Sequence, residues 1–185
     1  MIIRHADPDR DAAACAAIYA PHVTDGVASF EEVPPSANEF SGRIERITAR
    51  YPWLVADEDG ELAGYAYGSE HRERAAYRWA ADVTAYVARD YQRRGVGRAL
   101  YDALLGLLRA QGMHVACAGI TLPNDASVGL HEACGFERVG IYPRIGFKLG
   151  AWWDVGWWEL ELIEPTDGRP PEPGPPAALP EPIRL

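Results

Sequence analysis

At 185 residues the chain has the length of one domain and can bury a substantial core. Its composition, 48% hydrophobic and 24% charged, is that of a folded globular protein. A formal charge of −9 argues against a nucleic-acid partner, whose footprint would be basic, yet permits an anionic small ligand met by local cations. The three cysteines (Cys15, Cys117, Cys134) form no CxxC pair and lie in apolar segments, as buried free thiols do. The first residues, MIIRHADPDRD, contain no apolar leader, and no stretch reaches the ~18 apolar residues of a membrane span. The expectation is a cytoplasmic protein with no membrane partner.

Ile2 to His5 reads as a first strand. A helix follows, N-capped by Asp7 or Asp9 and ending before Pro21, and then an irregular segment, Thr24 to Val33, around Phe30. Ser36 with Glu39 forms a capping box that opens a second helix through Phe40, Ile44 and Ile47 to about Tyr51. Trp53 to Ala56 and Leu62 to Tyr67, joined by Asp57-Glu58-Asp59-Gly60, read as a hairpin. The charged loop His71–Arg74 leads to a long strand, Tyr77 to Val87, with one carboxylate in it, Asp82. From Gly95 a helix carries Val96, Leu100, Leu104, Leu107 and Leu108 on one face and stops at Gln111-Gly112. Val115 to Ile120, apolar throughout, reads as a central strand, followed by a short helix from about Ala126 to Cys134. Phe136 to Tyr142 and Trp152 to Leu162, linked through a loop around Gly146, complete a last antiparallel pair. Residues 1–164 make the domain. Residues 165–185, holding eight of the 15 prolines, read as a PPII-like or disordered tail. The fold class is α/β (α+β): a mixed, mostly antiparallel sheet of about seven strands with helices on both faces.

Gln92-Arg93-Arg94-Gly95-Val96-Gly97 follows a long strand and opens an amphipathic helix. A strand, glycine loop and helix start make an anion site, because unpaired amides and the helix dipole point at the ligand. The loop lacks the lysine of a Walker loop and the third glycine of a dinucleotide fingerprint. Asn124-x-x-Ser127-x-x-x-His131 lies about thirty residues on, with the three polar side chains on one helical face. This arrangement resembles the GCN5-related N-acetyltransferase (GNAT) family, whose Q/R-x-x-G-x-G/A loop binds the pyrophosphate of acetyl-CoA. The segments YPWLVA, AYRWAADVTAYV, LPNDASVGLHEACGF and GFKLGAWWDVGWW are similar to the phosphinothricin and methionine sulfone N-acetyltransferase branch.

The resemblance implies an enzyme that transfers acetyl from acetyl-CoA to the α-amino group of a small acidic amino acid (phosphinothricin, methionine sulfone or methionine sulfoximine). A non-catalytic acyl-CoA-binding module, or a GNAT enzyme acting on another amine, is the alternative. The reaction needs a base for the amine, fixed donors for the oxyanion and a proton for the departing thiolate. Asp82, mid-strand where a carboxylate is disfavoured, is the candidate base. The family carries glutamate there, and the shorter side chain favours relay through a water. The bland alternative is an edge-strand aspartate paired with Arg74 or Arg78. His131 stands where many GNAT enzymes have an acidic tyrosine and where this branch has a histidine credited with base work.

By the same resemblance, backbone amides of Ala85, Tyr86 and Val87 pair with the pantetheine arm. Gln92, Arg93, Arg94, Gly95, Val96, Gly97 and Arg98 hold the pyrophosphate, while Asn124 and Ser127 complete the cofactor site. Phe30, Arg72, Arg74, Tyr77, Tyr86 and Val155 line the amine pocket, unless Arg72 and Arg74 are only a solvated charge cluster. His5, His22, His71 and His114 show no metal-ligand spacing, so no metal is expected. Trp152, Trp153, Trp157 and Trp158 suggest a strand covered on both sides, and similar enzymes form homodimers.

Overall fold

The computed structural model describes residues 1–179 and 181–184. The elements run β1 (Ile2–His5), α1 (Pro8–Thr24), α2 (Ala37–Thr48), β2 (Trp53–Glu58), β3 (Glu61–Glu70), β4 (Ala80–Val87), α3 (Val96–Gln111), β5 (Val115–Leu122), α4 (Asp125–Ala133), β6 (Glu137–Lys148), β7 (Ala151–Glu161) and β8 (Ile183–Arg184). Among the described residues the strands form one sheet in the order β6-β7-β5-β4-β3-β2-β1-β8. Every pairing is antiparallel except β4 with β5.

Both faces of the sheet are covered, which explains why WLVA in β2 is apolar without alternation. Trp53 and Val55 face α1 and α2, packing with Tyr19, Phe40 and Ile44. Leu54 and Ala56 face the opposite way, into a core built on Leu100, Leu104 and Leu108 of α3. The Ser36–Glu39 box forms as expected, the Ser36 Oγ accepting from Glu39 N and the Glu39 carboxylate from Ser36 N. Helix α1 passes Pro21 instead of ending before it. A proline this close to the C-terminus removes one backbone bond, the last turn buries Val23, and Asp25 N closes it on the Pro21 carbonyl at 3.0 Å. Residues 75–77 form a 3₁₀ turn, so β4 starts at Ala80 and not at Tyr77. Strand β6 continues through Gly146 to Lys148 by means of irregularities in register between Arg138 and Gly140 and between Tyr142 and Gly146.

The proline-rich segment is bonded to the rest of the chain at several points. Trp79 Nε1 donates to the Pro171 carbonyl, Arg78 to both oxygens of Glu172, and Gly174 N to the Gln111 carbonyl at 2.7 Å. Leu179 N donates to His5 Nε2, and Ile183–Arg184 pair with β1 as an eighth strand. Proline-rich backbone has little freedom left to lose and carries carbonyls free to accept, so a few anchors can fix it. Its composition conceals those anchors, which lie on distant elements.

The N-terminal half is pinned by Arg4. Its guanidinium donates to both oxygens of Asp11 at 2.7 and 2.9 Å and twice to Asp57, tying β1 to α1 and β2. Burial opposes the charge on Asp11, but hydrogen bonds from Arg4 and the Asp7 amide outweigh it and lower its pKa below 3.8. Asp11 is 2% exposed, so Asp11→Asn removes one of the two carboxylates that meet Arg4 and should cost about 2 kcal/mol in urea unfolding. Because the folded pKa is the lower one, the carboxylate stabilises fully above pH 3.8. Acid titration of the wild type should lose that contribution as pH falls through the folded pKa, while the variant lacks this component.

Candidate active site

Strands β4 and β5 pair over only three residues each, Ala80–Asp82 with Val115–Cys117. Past that point they diverge: β4 keeps β3 on one side and β5 keeps β7, leaving a fork. The inner edges of the fork carry backbone amides and carbonyls with no strand between them. A cavity of about 840 Å³ fills the fork, with Val83–Val87 on one lip and Gly119–Thr121 on the other. The start of α3 and one face of α4 close it.

Ala85, Tyr86, Val87, Gln92, Arg93, Gly95, Val96, Gly97, Arg98, Asn124, Ser127 and His131 all line this cavity. Gly95 caps α3 with φ +83°, a left-handed conformation that glycine adopts without strain, and no side chain caps the helix amides. Those amides are free for an anion. Gly97 serves packing as well: a Cβ there would meet Leu130 at 3.1 Å and Val87 at 3.5 Å. Three predicted contacts are partly engaged elsewhere. Arg94 lies over the Tyr91 ring, Arg98 bonds Asp102 and the Ala133 carbonyl, and Asn124 Oδ1 caps α4 through Ser127 N. Among the described residues the loop amides from Arg93 to Val96, and the Asn124 amide nitrogen, keep their donors.

His131 is 5% exposed and lines the cavity together with a second residue, Tyr101. Its Nδ1 lies 2.7 Å from the Ser127 carbonyl, which can only accept, so Nδ1 carries the proton. Nε2 is therefore the acceptor for the Tyr101 hydroxyl at 2.9 Å. Burial lowers the His131 pKa against the opposing Ser127 bond, keeping the ring neutral. Tyr101 was missed in the sequence, where it is one more large residue on a buried helix face. Its hydroxyl is the hint, since a buried tyrosine finds a polar partner.

Asp82, Thr84 and Tyr86 alternate with Ala81, Val83 and Ala85, which pack toward α3, so Asp82 faces the α1–α2 side. Its partner is neither Arg74 nor Arg78. Asp82 Oδ1 lies 2.6 Å from His71 Nδ1, while Arg78 is held by Glu172. Burial raises the Asp82 pKa, and the His71 bond and the Arg72 charge offset part of the shift. Asp82 thus stands at the apex of the fork, with His131 beyond the opposite face.

Around Asp82 the chain assembles an aromatic and cationic wall. The His71 ring lies 5.8 Å from Tyr77 and 6.0 Å from Trp157, and Arg72 sits 5.8 Å over Trp157. Trp157 rests on Gly119, and its indole nitrogen is buried without a partner among the described residues. Phe30 packs on Gly146, where any Cβ would lie 2.2 Å from the ring. Its loop is fixed by Lys148 Nζ donating to the Ser29 carbonyl and by Tyr19 and Arg43 bonding Glu31. Tyr86 contacts Tyr19 and His22. Val155 pairs with Thr121 and Tyr142 across the neighbouring strands, and Arg74 is exposed at the start of the 75–77 turn. His71 and Trp157 carry no sequence signal of their own; only the folded sheet brings them to Asp82.

A family profile described as "Acetyltransferase (GNAT) domain" matches residues 3–157. A phosphinothricin N-acetyltransferase of Streptomyces viridochromogenes is 40% identical over 163 residues, covering 88% of this chain and 89% of that one. An L-methionine sulfoximine/L-methionine sulfone acetyltransferase of Pseudomonas aeruginosa is 38% identical, covering 83% of this chain and 90% of its own. The crystal structure of a GNAT superfamily phosphinothricin acetyltransferase from Sinorhizobium meliloti in complex with AcCoA matches with a TM-score of 0.86 at 38% identity, covering 92% of each chain. A fork with free backbone amides, an uncapped helix start and a polar dyad behind it fit acetyl-CoA, and with these likenesses they establish that the chain belongs to the GNAT acetyltransferase family.

Proposed function

We propose that the chain acetylates the α-amino group of a small anionic amino acid of the phosphinothricin, methionine sulfone or methionine sulfoximine type, by direct attack with both substrates bound. The observation that carries this reading is the Asp82–His71 pair held at the fork apex beside Arg72. Arg72, lying over the Trp157 ring beside the pair, offers donors to a carboxylate or to a phosphinate or sulfone oxygen. The names of the relatives support the same substrate class.

Acetyl-CoA supplies the acetyl group and a thiolate leaving group. Amides of β4 from Ala85 to Val87 hold the pantetheine arm as an added strand would and offer a donor to the thioester oxygen. The first amides of α3, with Arg93, meet the pyrophosphate. Asp82, through a water, takes the first proton of the ammonium group, and its raised pKa makes it a better acceptor than an exposed aspartate. The Tyr101–His131 pair takes the second proton from the nitrogen after attack. Tyr101 accepts it as its own hydroxyl proton moves to Nε2, and the reverse movement returns a proton to the leaving sulfur. The neutral resting state of His131 suits that passage.

The protein is further proposed to act in the cytoplasm as a homodimer. Val139, Ile141, Ile145, Phe147 and Trp152 form an exposed apolar strip on β6 and β7, the kind of surface a subunit contact covers. Sedimentation should give two chains per particle; a monomer at assay concentration rejects the dimer.

Acetylated product, followed by mass spectrometry, should appear with phosphinothricin, methionine sulfone or methionine sulfoximine at a kcat/KM well above that of ordinary amino acids. No product with any of the three overturns the substrate assignment. Asp82→Asn should lower kcat/KM about 10²-fold or more while leaving acetyl-CoA affinity unchanged. Activity rises with pH as Asp82 ionises, and its raised pKa sets that limb above the ordinary carboxylate range. His71→Ala removes a bond favouring the charged form, so it should move the limb to higher pH. In the same assay Tyr101→Phe and His131→Ala should each lower kcat by a similar factor and the double variant no further, since the two act as one unit. Additive losses would show two separate roles.

A further inference from the structure

Cys117 stands beside the Asp82–His71 pair, a residue the acetyl-transfer chemistry leaves unused. Asp82 and Cys117 are register partners in the last pair of the parallel ladder, so their side chains leave the sheet on the same side. His71 reaches across from the loop after β3. One donor atom from each of the three residues lies within 4.8 Å of the other two, and the His71–Asp82 distance is 2.6 Å. The cluster is sheltered: the His71 and Asp82 side chains are 16% and 27% exposed, and Cys117 is buried.

An imidazole nitrogen, a carboxylate oxygen and a thiol sulfur form a mixed donor set that suits zinc and its neighbours. Magnesium and calcium prefer oxygen donors throughout, and one carboxylate with a thiol serves them poorly. A tetrahedral ion with bonds of about 2.0–2.3 Å holds its ligand atoms roughly 3.3–3.8 Å apart. The His71–Asp82 pair is closer than that by less than 1 Å, and the Cys117 sulfur lies within 4.8 Å of both. Two ligands are fixed by paired strands, and the third sits on a loop that can take up the difference.

We propose that His71, Asp82 and Cys117 form a three-ligand site for a zinc-class divalent ion, its fourth position left to water, and that filling it shuts off acetyl transfer. A His71 ring nitrogen and an Asp82 oxygen each donate a lone pair, and Cys117 binds as thiolate with its proton released to solvent. The inhibitory half rests on the reading of Asp82 as base, because the ion occupies the oxygen that would take the amine proton. The binding half stands without it.

Cobalt(II) serves as the probe, added to the free protein under reducing, chelator-free conditions. The wild type should develop a thiolate-to-cobalt charge-transfer band in the near ultraviolet, bleached by one equivalent of zinc. Cys117→Ser should lack the band and Cys134→Ser should keep it. Zinc should inhibit product formation, read by mass spectrometry because free CoA thiol also binds zinc. The inhibition should be reversed by EDTA, and Cys117→Ser should be at least about tenfold less sensitive with unchanged kcat/KM in the absence of zinc. No band in the wild type, a band that survives Cys117→Ser, or equal zinc sensitivity of the two proteins overturns the site. A band with undiminished activity overturns the inhibitory half and, with it, the base assignment of Asp82. Loss of activity in Asp82→Asn without any cobalt band leaves the base standing and removes the metal.

Discussion

The short parallel ladder between β4 and β5 governs the rest of this molecule. Three residue pairs suffice to hold the two halves of the sheet together, and both strands then continue for several residues with one edge unpaired. Backbone groups left unpaired inside a protein are costly unless something polar arrives to meet them. Here that deficit lies along the walls of a cavity wide enough for an extended ligand. The last bonded pair, Asp82 and Cys117, marks where pairing gives way to binding, so the carboxylate is fixed by the ladder itself and not by a flexible loop.

The fork also divides the chemistry between two faces. On one, the neutral Tyr101–His131 pair is packed among Phe136 and the α3 core. On the other, Asp82 sits beside His71 and Arg72, which offset part of the burial that disfavours its charge. Burial acts on both groups in the sense that favours neutrality, raising the carboxyl and lowering the imidazole. Two groups of opposite charge type are thereby brought toward the same range, as proton transfer near neutral pH requires.

Much of this was legible in the residues because it is local. The Ser36–Glu39 box, the Gln92–Gly97 loop and the apolar face of α3 each lie within one turn or one helix, and each formed where the pattern put it. The partners of Asp82 were not legible. His71 is eleven residues away and Trp157 is seventy-five, and nothing in either neighbourhood marks them as belonging to a site. The tyrosine behind His131 was concealed by its place in a hydrophobic stripe. The anchors of the proline-rich segment were hidden for a different reason: composition reports how little such a stretch can bury, not which distant side chains will bond its carbonyls. Helix α1 shows the same lesson on a small scale, since Pro21 ends a helix only when losing one bond outweighs burying Val23.

The two margins of the sheet are finished unequally. At one, β1 is capped by β8, so what faces outward is a strand of two residues, too short to template another chain. At the other, β6 runs for twelve residues with an apolar outer strip. A sheet with one usable margin can be extended only once. Two copies joined there would present only their capped sides to a third, and such a pair would close instead of growing into a filament.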